Sequence, residues 1–206
     1  ADGLLHIIDD ILDFSKIEAG KLELENIAFD FQRLCKDVTE LFITPAWEKG
    51  VELRLVYDSS CPKMFYGDPA RIRQILFNLC GNAIKFTHQG HILVSVARES
   101  EKDGKVTLFV TVEDTGIGIP EDKKALIFNK FDQADTSTSR KYGGTGLGLT
   151  ISRQLLQRMQ SDIELQSEFG KGSAFSFRLT LPVADGTSEK PNMAAKANRI
   201  YFKDVS

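Results

Sequence analysis

The chain has 206 residues, of which 42% are hydrophobic and 27% charged, and it carries a formal net charge of −3 with a pI near 5.7. These values suit a soluble globular protein of one domain, or of one domain with an appendage. The acidic balance argues against a general nucleic-acid binder, whose surface would be basic. No apolar run is long enough to span a bilayer, and the first residues carry no signal-peptide pattern.

The three cysteines, Cys35, Cys61 and Cys80, are widely spaced and form no CxxC pair. An odd number of cysteines without such spacing argues against a disulfide framework and against a zinc site. We therefore expect buried thiols in a reducing compartment.

The sequence divides into three parts. Residues 1–20 predict a helix that Gly20 ends, and residues 21–183 predict the globular body. The apolar side of the helix is formed by Leu4, Leu5, Ile8, Ile11, Leu12 and Ile17. Residues 184–206 predict a linker or tail, in which the apolar run RIYF could add a strand.

The predicted body alternates helices with strands that are mainly joined as hairpins. The predicted strands are residues 22–30, 51–58, 91–100 and 105–114, with a closing hairpin over 162–182. The predicted helices are residues 30–50, roughly 69–87, and one after the glycine-rich loop near residue 147. This order favours a two-layer α/β sandwich with a mixed, mostly antiparallel sheet. Trp47 and the phenylalanines of the strands are predicted to lie in the core.

The long predicted helix carries a polar stripe. Asn78, Asn82 and Lys85 are spaced by four and three residues, so they share one face. Amides on the edge of an apolar helix commonly form a solvated flank, but two asparagines and a lysine can also hold a hydrated Mg²⁺ and a polyphosphate.

The segment DTGIGIP, residues 114–120, directly follows a predicted strand. It suits an acidic β-turn, or a carboxylate at Asp114 buried beneath a flat heterocycle. Phe128 and Phe131 then follow, three residues apart, a spacing most often found in a core.

A glycine-rich loop, KYGGTGLGL, precedes the last predicted helix. Glycines let backbone N–H groups approach an anion at a helix N-terminus, although a hinge or a plain turn also uses them. The loop lacks the Lys-Ser/Thr of a Walker A motif and the preceding strand of a dinucleotide fingerprint. The polar run before the loop ends in Arg140 and Lys141, which could form a lid that brings cations to phosphate.

Further along the chain, FGKGS predicts another tight turn, at Gly170, Gly172 and Ser173.

Together, NxxxNxxK, DxGxG, FxxF, GGTGLGL and GxGS occur in the order of the N, G1, F, G2 and G3 boxes. In this order they closely resemble the ATP-binding catalytic domain of sensor histidine kinases, within the superfamily that includes gyrase, heat-shock chaperones and MutL-type ATPases. The resemblance covers about residues 22–182 and implies a Bergerat-type ATP-binding fold. The N-terminal text ILDFSKIEAGKLELE resembles the end of the dimerisation helix and its junction, particularly in hybrid kinases, so residues 1–20 would be a remnant of that helix.

The resemblance also implies roles for individual residues. Asn78 and Asn82 would coordinate Mg²⁺, and Asn78 and Lys85 would be the catalytic pair, with Lys85 on phosphate. Asp114 would accept a hydrogen bond from the adenine amino group. The other residues implied to bind ATP are Phe86, Gly116, Gly118, Ile119, Arg140, Lys141, Gly144, Thr145, Gly146, Leu147, Gly148, Leu149 and Ser173.

The implied activity is transfer of the ATP γ-phosphoryl to a histidine on a dimerisation helix. The family's acceptor pattern, His-Glu/Asp-x-Arg-Thr-Pro, is absent, and His6, His88 and His91 stand in other contexts. His88 and His91 favour a solvated turn over a metal pair. The implied partners are the phosphoacceptor helix, a response-regulator receiver domain, and a second copy through residues 2–19. We expect a cytoplasmic fragment whose parent protein could be membrane-anchored.

Two alternatives stay open at this point. The gyrase-like and mismatch-repair relatives hydrolyse ATP with a glutamate where this chain has Asn78, and an amide cannot accept that proton. A nucleotide-gated scaffold without chemistry is the other alternative.

Two further expectations follow from the residues. The family usually has Gly-Gly after Met159, whereas this chain has Gln160-Ser161, so we expect that helix to be capped differently. Ser173 replaces a commoner threonine but keeps the hydroxyl.

The polar segment over residues 132–142 is expected to be mobile without nucleotide.

Overall fold

The computed structural model of the chain describes residues 12, 13, 15–128, 146–184 and 198–200. The strands are β1 (Ile27–Asp30), β2 (Val51–Tyr57), β3 (Met64–Gly67), β4 (Gly90–Lys102), β5 (Lys105–Asp114), β6 (Ile163–Glu168), β7 (Gly172–Pro182) and β8 (Asn198–Ile200). The helices are α1 (Phe31–Glu40), α2 (Ile43–Glu48), α3 (Pro69–Phe86) and α4 (Gly148–Arg158), with 3₁₀ turns at Glu121–Lys123 and Leu126–Phe128.

Six strands form one sheet in the order β6-β7-β5-β4-β2-β8, and β1 pairs with β3 in a separate two-stranded sheet. Only the β2–β4 pairing is parallel among these described strands. The prediction of a mixed, mostly antiparallel sheet is therefore confirmed. The expectation that RIYF could add a strand holds for its first two residues, since residues 198–200 pair with β2. Tyr201 and Phe202 lie outside the described residues.

One face of the sheet is buried beneath the helices. In β5, alternate side chains are buried, from Val106 through Val110 to Val112, while their neighbours are partly exposed. This period of two is the pattern of a sheet with one covered face. The helix α3 packs against β5 and between α1 and α4. The sheet and its helices therefore form the two layers that the sequence predicted.

The phenylalanines Phe29, Phe175 and Phe177 lie in the core as predicted. The prediction is wrong for Phe109, which is partly exposed on the other face of β5 beside the Arg178 guanidinium, and for Trp47, which is 79% exposed. The predicted helix over residues 30–50 is in fact two helices that break between α1 and α2. Phe42, the residue that caps the short α2, and Ala46 within it are both buried and lie four residues apart. Trp47 follows Ala46 by one residue and so points about 100° away from the core.

The prediction of buried thiols is confirmed for the three cysteines. All three are free and buried. Burial raises the pKa of the Cys61 and Cys80 thiols to about 12 and raises that of Cys35 further. These thiols therefore pack as small apolar groups.

The expectation that α4 ends in an unusual cap is wrong. Gln160 adopts a left-handed conformation with φ 60°. Its N–H donates to the Gln157 carbonyl (3.1 Å), and the Ser161 N–H donates to the Leu156 carbonyl (2.8 Å). This is the Schellman motif that glycine usually ends. The helix keeps the usual cap and places a glutamine in the position where glycine is favoured.

We therefore expect Gln160→Gly to stabilise the fold. Relief of the left-handed conformation contributes about 1 kcal/mol, which corresponds to roughly 2–4 °C in thermal midpoint for a chain of this size. Thermal unfolding of the variant measures the change. Ser161→Gly is the matched control: it adds the same flexibility where φ is not positive, so it should not raise the midpoint. An equal rise in both variants would contradict the cap argument.

The described part of the N-terminal helix packs on the body. The Asp13 carboxylate accepts from Arg71 (2.6 Å) and Gln74 (2.9 Å) of α3. The Arg158 side chain of α4 donates to the Ile17 carbonyl (3.0 Å), and the Ile17 side chain is buried. Through these contacts the described residues near Asp13 and Ile17 fold back onto the body. Residues Leu4, Leu5, Ile8 and Ile11 of the predicted apolar side lie outside the described residues.

Candidate nucleotide site

The polar stripe of α3 lies beside the start of α4. The Asn78 Nδ2 donates to the Gly148 carbonyl (3.2 Å) and approaches the Ser152 hydroxyl at 3.3 Å. A Cβ on Gly148 would lie 3.4 Å from the Asn78 side-chain carbon, an ordinary van der Waals contact, so the Asn78 side chain packs directly against the start of α4. The structure thus brings together two predicted site residues that are 70 positions apart in sequence.

The other two residues of the stripe are half-buried. The Asn82 amide has no hydrogen-bond partner within the part of the chain that the structure describes. Burial lowers the pKa of Lys85, whose Nζ lies 5.0 Å from the centre of the Phe86 ring. A partly desolvated ammonium is stabilised by an anion beside it. The two side chains are suited to bind a metal ion and phosphate.

Two contacts from distant segments fix the end of α3. The Lys49 Nζ donates to the carbonyls of Ile84 (2.6 Å) and Lys85 (3.3 Å), and the Ile117 N–H donates to the Phe86 carbonyl (3.3 Å). The last carbonyls of a helix lack intrahelical partners and favour a positive charge. Lys49 therefore helps to fix the turn that carries Lys85 and Phe86. The sequence analysis missed Lys49, since no local pattern links it to α3.

Asp114, at the end of β5, is the buried carboxylate of the site. Its side chain is 7% exposed, and Oδ1 accepts from the Gly116 N–H (2.8 Å). Burial raises the pKa of Asp114, and the hydrogen bonds from the Gly116 and Ser173 backbones oppose this rise. The Thr87 hydroxyl lies near the carboxylate and also opposes the rise, although it makes no hydrogen bond of normal geometry with it. The turn is acidic and its carboxylate is buried, whereas the heterocycle above the carboxylate stays a prediction.

Gly116 joins the Asp114 turn to α3. A Cβ on Gly116 would lie 2.5 Å from the Phe86 carbonyl oxygen and 2.7 Å from Asp114 Oδ1. No side chain fits between these atoms. The end of α3 and the carboxylate therefore meet directly around this glycine.

The turns that contain Gly118 and Gly172 interlock. Gly118 has φ 64°, and a Cβ there would lie 2.0 Å from the Glu168 carbonyl oxygen. Gly172 has φ 118°, and its Cβ would lie 2.0 Å from the Asp114 carbonyl oxygen. The G1 and G3 turns can approach this closely only because both positions lack a side chain.

A serine that the sequence analysis missed links the same turns. The Ser167 hydroxyl accepts from the Ile119 N–H (2.8 Å) and contacts the Ser173 hydroxyl at 3.0 Å. Ser173 is 7% exposed, so the hydroxyl it keeps is part of this buried network. Ile119 enters the site through its backbone N–H.

The start of α4 follows Gly146, which has φ 69°. The helix begins without a side-chain cap at Leu147, which is 1% exposed, and Leu149 packs partly buried against the core. The two leucines therefore anchor the glycine-rich loop where it joins the helix. The predicted site residues Arg140, Lys141, Gly144 and Thr145 lie outside the described residues, as does the segment 132–142.

Phe128 is half-buried against the core, and its ring lies 5.2 Å from the Arg153 guanidinium. The Phe128 carbonyl accepts from the Thr150 hydroxyl (3.2 Å). Phe128 thus joins the second 3₁₀ turn to α4, in keeping with a core role. Its predicted companion Phe131 lies outside the described residues.

Three comparisons with known proteins bear on this arrangement. The family model "Histidine kinase-, DNA gyrase B-, and HSP90-like ATPase" matches residues 67–184. The chain is 46% identical over 181 residues to "Signal transduction histidine-protein kinase BarA" of Escherichia coli (strain K12), covering 88% of this chain and 20% of that protein. It is 45% identical over 190 residues to "Sensor protein GacS" of Pseudomonas syringae pv. syringae, covering 92% of this chain and 21% of that protein.

A similar solved structure is that of full-length ShkA in complex with AMPPNP, with a TM-score of 0.74 and 35% identity over 89% of this chain and 37% of that chain. The chain belongs to the family of histidine kinase-, DNA gyrase B- and HSP90-like ATPases, and it is an ATP-binding domain of that family. It spans about a fifth of the length of the curated relatives that it matches. Within the described residues, no helix is both long and apolar enough to cross a membrane.

Proposed function

We propose that the chain is the ATP-binding catalytic domain of a sensor histidine kinase and that it donates the ATP γ-phosphoryl to a histidine on a dimerisation helix. The observation that carries the proposal is the meeting of three predicted boxes in one place. Asn78 contacts Gly148, and Phe86 and Asp114 meet around Gly116. The relative BarA, which is named as a histidine-protein kinase, supports the same function.

The buried end of the site would bind the base. The Asp114 carboxylate accepts hydrogen bonds and sits at the interlocked glycine turns, so it fits an amino-substituted heterocycle. Phe86 supplies an aromatic side chain nearby, and Gly118 lets the G1 turn pack closely on the Glu168 backbone. At the other end, Lys85 and the start of α4 would bind phosphate, because a helix N-terminus favours anions. The adjoining loop residues of the implied set would complete that end.

The Asn82 amide, which lacks a described hydrogen-bond partner, fits a ligand for a hydrated Mg²⁺, with Asn78 beside it. A bound Mg²⁺ would neutralise charge on the phosphates during transfer. The residues of this chain would bind and orient the nucleotide, and Lys85 would stabilise charge on the transferred group.

Phosphoryl transfer fits this site better than hydrolysis. The Asn78 amide donates to the Gly148 carbonyl and is not a base, so it cannot accept a proton from water. The phosphoacceptor would be a histidine of a partner helix, and a response-regulator receiver domain would accept the phosphoryl next. Residues 2–19 would belong to the dimerisation helix and could pair with a second copy.

Calorimetric titration with ADP, with and without Mg²⁺, tests the nucleotide and metal assignments. The wild-type chain should bind ADP, and Mg²⁺ should strengthen binding. In Asn82→Ala the strengthening should fall by about tenfold (about 1.4 kcal/mol) while metal-free affinity is kept. Gln166→Ala, at an exposed amide of β6, is the control and should behave like wild type. No ADP binding by the wild-type chain would contradict the proposal.

A further inference from the structure

Thr87, the residue that ends α3, has a buried hydroxyl without a partner. Its backbone N–H donates to the Ala83 carbonyl (3.0 Å), and the residue is 0% exposed. Its Oγ1 has no hydrogen bond in the described structure, a state shared there only with the Gln154 Oε1. A buried polar group without a hydrogen bond loses its hydration without compensation, so it calls for an explanation.

The position of Thr87 suggests one. Thr87 directly follows Phe86, and the Phe86 carbonyl oxygen and the Asp114 Oδ1 lie on either side of Gly116. A Cβ on Gly116 would lie within 2.7 Å of both oxygens. The Thr87 hydroxyl lies close enough to Asp114 to lower the pKa of its carboxyl group, against the effect of burial. It nevertheless makes no hydrogen bond of normal geometry with that carboxylate in the ligand-free chain.

We propose that Thr87 is a positioning residue of the nucleotide site, whose hydroxyl gains a hydrogen bond to the Asp114 carboxylate when that carboxylate binds the amino group of a base. This inference rests on the proposed function and adds a residue to its site. Asp114 Oδ1 already accepts from Gly116. Reorientation of the carboxylate towards a base would give the buried hydroxyl an acceptor. The buried hydroxyl is unpaired in the free chain, which destabilises that state. A hydrogen bond that forms only when nucleotide binds removes this cost and so increases the affinity for nucleotide.

Thr87→Val tests the inference, because valine keeps the shape and removes the hydroxyl. ADP affinity, measured by calorimetry, should fall about tenfold, the size of one buried hydrogen bond. The thermal midpoint of the ligand-free chain should stay the same or rise, because an unpaired buried hydroxyl is removed. Thr87→Ser keeps the hydroxyl and should bind ADP within about threefold of wild type.

Thr39 provides a matched control with the opposite pattern. Its hydroxyl is also buried, but it donates to the carbonyls of Cys35 (3.0 Å) and Lys36 (2.9 Å) within α1. Thr39→Val should therefore leave ADP affinity unchanged, whatever it does to the thermal midpoint. The double variant Thr87→Val with Asp114→Asn should bind no more weakly than Asp114→Asn alone, because Thr87 acts through that carboxylate.

The outcomes separate the two proposals. If the wild-type chain binds ADP and Thr87→Val binds it equally well, the role of Thr87 is wrong and the proposed function stands. If Thr87→Val lowers the thermal midpoint and Thr87→Ser is equally impaired in binding, Thr87 serves packing and the inference is also wrong. If the wild-type chain binds no ADP, both fail.

Discussion

Asp114→Asn should weaken ADP binding by about tenfold to a hundredfold. The carboxylate is buried at the end of β5 and can only accept hydrogen bonds, whereas an amide can turn a donor towards the amino group of the base. An unsatisfied buried group costs about 1–3 kcal/mol, which corresponds to that loss of affinity. Calorimetry measures it directly. Glu113→Gln, at an exposed carboxylate one residue earlier in β5, is the control and should keep wild-type affinity.

The same substitution should stabilise the ligand-free chain at neutral pH. Burial raises the pKa of Asp114 above its ordinary value of 3.8, so the ionised form is less stable in the folded chain than in the unfolded chain. The carboxyl group contributes to the free energy of unfolding at pH values below its pKa in the unfolded chain. This contribution is lost as the pH rises through its pKa in the folded chain. Urea unfolding at pH 7 should favour Asp114→Asn over wild type, and the advantage should shrink as pH falls. A variant that is less stable at pH 7 would contradict this sign.

The isolated chain should bind nucleotide yet leave itself unlabelled by γ-labelled ATP. Phosphoryl transfer depends on an attacking atom placed in line with the γ-phosphorus. None of His6, His88 and His91 stands in an acceptor-like sequence. Within the structure, the Thr115 hydroxyl and backbone fix the His91 backbone at the start of β4 (2.9 and 3.1 Å). We therefore expect none of the three histidines to accept the phosphoryl group.

Hydrolysis should also be slow, because Asn78 cannot act as a base for water. Acid-labile, base-stable phosphate on the chain and release of inorganic phosphate are the two quantities to measure. Strong labelling of the chain alone would mean that one of its histidines is an acceptor. Fast phosphate release would favour the ATP-hydrolysing alternative.

The sequence predicted those parts of the fold that local patterns determine. The hairpin of β4 and β5 follows from alternating apolar residues around a turn in which Asp103 (φ 51°) and Gly104 (φ 71°) adopt left-handed conformations. The start of α3 follows from Asp68, whose side chain accepts from the Arg71 N–H, and from Pro69 in the first turn. These signals lie within a few residues of the structure that they determine.

Other parts of the fold depend on contacts that no local pattern contains. The strand β3 has four residues and gains its partners from β1, 37 positions earlier, so it was not predicted. The break between α1 and α2 depends on the packing of Phe42 against Phe77 of α3, with ring centres 5.0 Å apart. That packing leaves Trp47 on the surface, against the prediction.

In the candidate site, too, some residues have a local sequence signal and others depend on contacts between distant segments. The motifs indicated Asn78, Asp114 and Gly116 because their spacing is distinctive. The structure places Asn78 against Gly148, and Asp114 and Gly116 against the end of α3. Their supports, Lys49 and Ser167, come from distant segments and act through a few hydrogen bonds each. Such supports have no sequence signal without the fold, which is also why the role proposed for Thr87 depends on its burial.

The most direct test of the proposed function is phosphoryl transfer to a separate dimerisation helix. The wild-type chain is incubated with γ-labelled ATP, Mg²⁺ and a histidine-bearing dimerisation fragment of its parent kinase, with Asp114→Asn as the control. We predict acid-labile label on the histidine of that fragment, abolished when the histidine is replaced and strongly reduced with Asp114→Asn. A chain that binds ADP but leaves the fragment unlabelled would contradict the kinase assignment and favour the scaffold alternative.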